Sequence, residues 1–463
     1  MSAESALTLL PPGGNLLADS ADDIWGGSMN ERVSSVEADT PEVDPVLGYV
    51  PGTILRDEVV EYRCVRAAQK VMLHRYRKYG IEGIHNLMGL VDDGTVPSFF
   101  KGPAYQERYL GTVLMEEAVT EVARRHLGGD PSFTSLVFNR VTAGTITLVQ
   151  ALVPPGSLVP YMVPEYPGVG GHGHPSVPRA VELARSRWHQ VMSSQELENL
   201  LKGEDHVPLV VICPSYRGAL SEEEMRSVCE VSHARGIPVY VDDASGARTR
   251  TAHYGQQSAG DLGADLIMTS CEKAALFGPR AGLLLGRADL MEPIGAKMNM
   301  MGTEARPAVV AAVLRSLQKY TPEEGHRLFN EWVDRHQRLA ELAKPFLGEN
   351  LQYGAYNGIY LSLDDFMDLV LERTGIEKTD LAPVDLSAAF SMLLLRGFGF
   401  MTVPITHYPG ASKLVSVKVL ALRQGDGLSD DAIVGALRDS LDALVRTRLD
   451  RAAIERLLFG PPE

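Results

Sequence analysis

Residues 237–286 constrain the fold of this chain more than any other stretch. They hold three short apolar runs: Ile237-Pro238-Val239-Tyr240-Val241, Leu266-Ile267-Met268 and Leu283-Leu284-Leu285. The first breaks off at Asp242-Asp243-Ala244-Ser245-Gly246-Ala247-Arg248. The second breaks off at Thr269-Ser270-Cys271-Glu272-Lys273, and the third lies between Gly282 and Gly286. Continuous apolar runs of this length predict strands buried on both faces, as in a parallel sheet covered by helices. The carboxyl ends of such strands carry the polar chemistry. A carboxylate and a lysine are therefore expected side by side at one sheet edge.

That pair has a specific use. A lysine can hold an aldehyde as a Schiff base, and a carboxylate can keep a pyridine nitrogen protonated. Pyridoxal 5′-phosphate needs both. Asp242 is the expected partner of the pyridine nitrogen, with Asp243 as the alternative. A single Asp at a strand end otherwise reads as a helix N-cap or a plain polar terminus. Ser270 precedes Lys273 at S-x-x-K spacing, so the serine can donate to a phosphate oxygen while the lysine reaches the aldehyde. Any one lysine is ordinarily a surface residue. The apolar flanks of Lys273 predict burial instead, which lowers a lysine pKa. The same spacing occurs in serine β-lactamases, but their companion S-D-N and K-T-G motifs are missing from this sequence.

The 463 residues predict two domains and an arm: 1–56 as an N-terminal arm, 57–305 as a large domain, and 306–463 as a small C-terminal domain. Within the large domain, 57–79 reads as a basic helix and 83–111 as loop. Strands are expected at 135–138, 158–163 and 209–213, alternating with helices at 114–126, 177–186 and 221–236. That alternation predicts an α/β fold with a mostly parallel, doubly wound sheet. Residues 298–303 read as a loop. The remainder, with helices at 307–317, 323–347, 386–395 and 429–445 and strands at 358–363 and 414–422, predicts a smaller α+β domain. The net charge of −15 disfavours nucleic acid and anionic membranes as partners. No apolar run approaches the ~20 residues of a membrane span, and there is no signal-peptide pattern. Cys64, Cys213, Cys229 and Cys271 lack metal-ligand spacing, so no metal site is expected. They read as reduced thiols of a cytoplasmic protein.

Two further segments complete the expected site. Small and hydroxyl residues at Thr142-Ala143-Gly144-Thr145 precede an apolar helix, and free N–H groups at a helix start cradle phosphate. His174 follows a glycine-rich loop and precedes a helix, where it can stack on the cofactor ring. His172 is its close rival.

The chain resembles the fold type I pyridoxal-phosphate enzymes, the aspartate aminotransferase superfamily, over roughly residues 111–445. Residues 262–273, Phe277-Gly278-Pro279-Arg280-Ala281-Gly282 and Asp242-Asp243-Ala244-Ser245-Gly246 are similar to the selenocysteine synthase and sugar-acid ammonia lyase branch. The chain departs from it at Cys271, Glu272 and Arg280. The His174 segment is closer to the ornithine/lysine decarboxylase branch. The resemblance implies Lys273 as the Schiff-base lysine and Asp242 as the pyridinium partner. It gives Ala143, Gly144, Thr145 and Ser270 to the phosphate, and Ser215 to the ring O3′. Gly302-Thr303 would reach the phosphate across a homodimer interface with shared sites. Arg423 would bind the substrate carboxylate, with Arg217, Arg280 and Lys418 as competitors. The implied activity is a lyase or transferase acting on a small amino acid: the substrate amine displaces Lys273 and the α-proton leaves. β/γ-Elimination or replacement is expected first. The alternative is an aminotransferase, followed by a decarboxylase or a non-catalytic pyridoxal-phosphate protein.

Overall fold

The structure, a computed structural model, describes residues 51–163, 175–214, 219–406, 414–421 and 427–462. Its centre is a seven-stranded sheet. The strands are β1 (Thr134–Phe138), β2 (Leu158–Met162), β3 (Arg187–Val191), β4 (Val210–Ile212), β5 (Val239–Asp242), β6 (Leu266–Ser270) and β7 (Gly282–Gly286). Their spatial order is β1-β7-β6-β5-β4-β2-β3. β7 runs antiparallel to β1 and β6, and the other pairings are parallel. The carboxyl ends of β1, β2, β4, β5 and β6 therefore open on one edge. The pairing of Asp242 with Met268, and of Ser270 with Gly282, puts the carboxyl ends of β5 and β6 and the start of β7 almost level.

The apolar runs become this sheet because both faces are covered. Val239, Tyr240, Val241, Leu266, Ile267, Met268, Leu283, Leu284 and Leu285 are all fully buried. They divide between two cores, one on each face, closed by α2 (Leu110–Leu127) on one side and α3 (Val141–Leu152) on the other. β3 carried no such signal in the sequence. Arg187-Trp188-His189-Gln190-Val191 alternates at an exposed sheet edge, where one face stays wet.

Two expectations are corrected. Residues 298–301 are the last turn of α4 (Ala288–Met301), not loop. That helix stops at Gly302, which takes the left-handed conformation at φ +67°. The stretch 414–422 is strand only over Leu414–Val417; a short 3₁₀ turn follows at Val419–Ala421.

The C-terminal half has its own core. It is built from α5 (Pro322–Leu347), α6 (Pro383–Phe398) and α7 (Asp430–Arg446), against an antiparallel sheet of β8 (Gln352–Gly354), β9 (Gly358–Ser362) and β10 (Leu414–Val417). α1 (Glu58–Tyr79) joins this core through Cys64, Ala68 and Val71, although it precedes the large sheet in sequence. Buried Asp385 explains the tie. Its carboxylate accepts the N–H of Thr53 at 2.9 Å and of Leu55 at 2.9 Å, as well as that of Ala382 at 3.0 Å. Among the described residues, no helix is long and apolar enough to cross a membrane.

Candidate active site

Asp242 ends β5 and Asp243 follows it, and the structure separates the two. Asp243 lies against Arg250, with both side chains wholly buried and Nη2 2.6 Å from Oδ2. Its charge is already matched. Asp242 is 6 % exposed; its carboxylate receives a long hydrogen bond from Ser176 Oγ, at 3.4 Å, and one from the Ala244 backbone. Its Oδ1 has no hydrogen-bond partner among the described residues. Burial pushes its carboxyl up to about 6, against the opposing pull of Lys273. A buried acceptor with an unmet oxygen is costly unless a donor arrives.

Lys273 follows β6 in a tight turn. Ala274 and Ala275 there take φ +52° and +67°, a region L-residues avoid. Burial lowers its amine pKa, and the carboxylates of Glu272 and Asp242 oppose that shift. Glu272 is itself buried, with its carboxyl raised by burial and partly restrained by Arg280, whose Nε is 3.5 Å away. Arg280 is thus paired with the residue before the lysine.

The helix start expected to cradle a phosphate differs in detail from expectation. α3 starts at Val141 with no side-chain cap. Gly144 N–H already bonds Arg140 O at 3.0 Å, so the open N–H groups are those of Val141, Thr142 and Ala143. The Thr145 hydroxyl, which the resemblance gave to the phosphate, faces the core and meets Tyr240 Oη at 3.1 Å. Gly144 also faces the sheet, where an added Cβ would lie 2.4 Å from Met268. Gly282 lets the helix start approach β7; its Cβ would lie 2.8 Å from Val141 Cα. These glycines lower the helix start onto the strand ends. Ser270 is buried beside it.

Gly302 and Thr303 are tied within their own chain. Thr303 O accepts from Asn139 N at 3.1 Å, and its hydroxyl meets that of Thr147 at 2.9 Å. His172, His174, Ser215, Arg217 and Arg423 lie outside the described residues.

Part of the segment 83–111, expected as loop, closes this site. Leu90 bridges to Lys273 and Met88 to Lys418. Val91 N–H donates to Glu272 O at 3.2 Å, and Leu87 O accepts from Lys418 N at 3.0 Å. One strap thus seats two lysines. Lys418 is 8 % exposed, with Nζ 4.3 Å from the centroid of the Tyr356 ring. Burial and the charge of Lys273 press its amine down to about 7. Such a bridge between distant segments leaves no periodic trace in a sequence. Arg248 was likewise missed: it stands in the motif after Asp242, but nothing there tells a buried arginine from a surface one.

No protein-family model matches the chain. It is 33% identical over 409 residues to a UPF0425 pyridoxal phosphate-dependent protein of Methanothermobacter thermautotrophicus, covering 88% of this chain and 100% of that one. A namesake from Methanosphaera stadtmanae is 29% identical over 378 residues, covering 81% and 92%. An arginine decarboxylase of Bacillus subtilis is 25% identical over 224 residues, 46% of this chain and 44% of that one. Among solved structures, an archaeal alanine:glyoxylate aminotransferase superposes with TM-score 0.55 at 15% identity, over 82% of this chain and 95% of that one. A kynurenine aminotransferase of Pyrococcus horikoshii gives 0.54 at 14%, over 80% and 92%. These structures define an aminotransferase-like α/β fold. The chain belongs to the UPF0425 pyridoxal phosphate-dependent protein family.

Proposed function

We propose that this protein binds pyridoxal 5′-phosphate as a Schiff base on Lys273 and acts on a small amino acid, eliminating or replacing a β or γ substituent. The observation that carries the cofactor assignment is the buried, unmet Oδ1 of Asp242 at the sheet edge that also bears Lys273. When bound, the cofactor supplies an electron sink that makes the bonds at the substrate α-carbon labile. Asp242 accepts the ring N–H. The N–H groups of Val141, Thr142 and Ala143, with Ser270, hold the phosphate. Lys273 Nζ takes the α-proton. His174 and Ser215 keep the ring contacts that the family resemblance gives them. Arg423 or Arg217 takes the substrate carboxylate, because Arg280 is paired with Glu272.

Lys418 favours elimination or replacement over transamination. Transamination moves one proton between two carbons, and a single lysine suffices. A departing side-chain group needs its own proton, and an amine with pKa about 7 beside Lys273 can give one. Lys418→Met is expected to slow side-chain release by roughly 10²–10⁴-fold. Cα–H exchange in D2O, which needs only Lys273, stays near wild type; equal loss of both removes Lys418 from this role. Since the protonated amine is the donor, turnover falls as pH rises through about 7.

The reaction is tested by incubating the holoenzyme with a panel of amino acids and weighing the products. Loss of a side-chain group with the cofactor left as aldehyde is expected. A keto acid with aminated cofactor and an intact side chain overturns the proposal in favour of an aminotransferase.

The cofactor's grip depends on pH. An N–H donor needs Asp242 ionised, and in the free protein it gains a proton below about pH 6. Affinity is expected to drop by roughly tenfold per pH unit below that point. Asp242→Asn should lack this limb, and an identical pH profile in that variant contradicts the assignment.

A second copy is expected on the face around Tyr109 and Val113, which are 73 % and 65 % exposed and line a cavity of about 270 Å³. Contiguous exposed apolar surface of this kind marks an interface.

A further inference from the structure

Arg248 is a deeply buried cation. It is 2 % exposed, and no ion pair forms to it among the described residues. The nearest acid by sequence, Asp243, is held by Arg250 instead. Arg248 is solvated by backbone carbonyls. Nε donates to Lys273 O at 3.2 Å and to Ala274 O at 3.2 Å, while Nη2 donates to Ser270 O at 2.7 Å and to Ala244 O at 3.2 Å. Nη1 finds no acceptor among the described residues. Burying an arginine on carbonyls alone is expensive.

The four carbonyls are not a random set. Ala244 lies just past Asp242, Ser270 ends β6, and Lys273 and Ala274 form the turn that carries the amine. That turn holds two consecutive alanines at positive φ, a conformation that persists only where the surroundings impose it. The guanidinium's planar fork spans several acceptors at once, which an ammonium on a flexible stem does not. We infer that Arg248 is a positioning residue: it clamps the Ser270–Ala274 turn to the end of β5 and so fixes where the Lys273 amine stands relative to Asp242. This rests on Lys273 being the Schiff-base lysine.

The clamp predicts that the turn, not the charge, is what Arg248 serves. Glycine adopts positive φ freely, so Ala274→Gly with Ala275→Gly keeps the turn's conformation and removes the strain that needs holding. The test strips the full-length protein of cofactor, adds pyridoxal 5′-phosphate, reduces with borohydride at timed intervals, and measures phosphopyridoxyl-Lys273 by peptide mass. Circular dichroism is recorded alongside.

In Arg248→Lys, trapping at Lys273 is expected to slow at least tenfold with the fold retained. Adding the glycine pair to that variant should recover most of the rate. If the single variant does not fold, the glycine pair is expected to restore both folding and trapping. Wild-type trapping rates in Arg248→Lys overturn the inference, as does a deficit that the glycine pair leaves untouched, folded or not. No trapping at Lys273 in the wild type sinks the cofactor assignment instead, which keeps the two failures distinct.

Discussion

Asp242→Asn is expected to leave the protein folded and to slow turnover by at least about 10²–10³-fold, the usual effect of removing one preorganised electrostatic partner. The side chain keeps its size, so packing at the end of β5 is undisturbed. What is lost is the anion that holds a proton on the pyridine nitrogen. The same change should stabilise the cofactor-free protein. The Asp242 carboxyl is raised from 3.8 to about 6, so the folded state binds a proton more tightly than the unfolded chain does. Its ionised form therefore destabilises the fold at neutral pH, by roughly 3 kcal/mol for a shift of about two units. The neutral amide removes that cost. Urea melts of the cofactor-free variant at pH 7 should shift to higher midpoint while activity collapses. A loss of stability together with unchanged turnover would move the role elsewhere.

Arg250→Met gives the opposite signature. Asp243 and Arg250 form an ion pair with no exposed surface on either side. Removing one partner leaves a buried carboxylate without its counter-charge, which costs about 3–5 kcal/mol. Urea denaturation of the cofactor-free protein should show that loss, and adding Asp243→Asn should recover part of it because the stranded charge is gone. An exposed pair of the same geometry would change stability by less than about 1 kcal/mol. Neighbouring aspartates on one strand end thus separate cleanly: one mutation weakens catalysis and strengthens the fold, while the other weakens the fold.

Some of this was legible in the sequence. The runs at Val239, Leu266 and Leu283 mark buried strands because both sheet faces are covered, and buried strands show as unbroken apolar runs. Asp242 and Lys273 follow at their ends. The sequence could not choose between Asp242 and Asp243, because the decision lies with Arg250, a partner found only once the helical turn after β5 is built. Thr145 looked like a phosphate ligand, but helix rotation sends it to Tyr240. The strap at residues 87–91 and Lys418 meet from opposite ends of the chain, and such contacts carry no local periodicity. β3 was invisible for the simpler reason that an exposed edge strand need not be apolar.

The central claim is that Lys273 carries the cofactor, and covalent trapping tests it most directly. The purified wild-type protein, reconstituted with pyridoxal 5′-phosphate, should absorb in the visible. Borohydride should bleach that band and leave a phosphopyridoxyl group on the peptide containing Lys273, and Lys273→Ala should lose both. A colourless reconstituted protein, or a label found on Lys418 with Lys273 unmodified, contradicts the account.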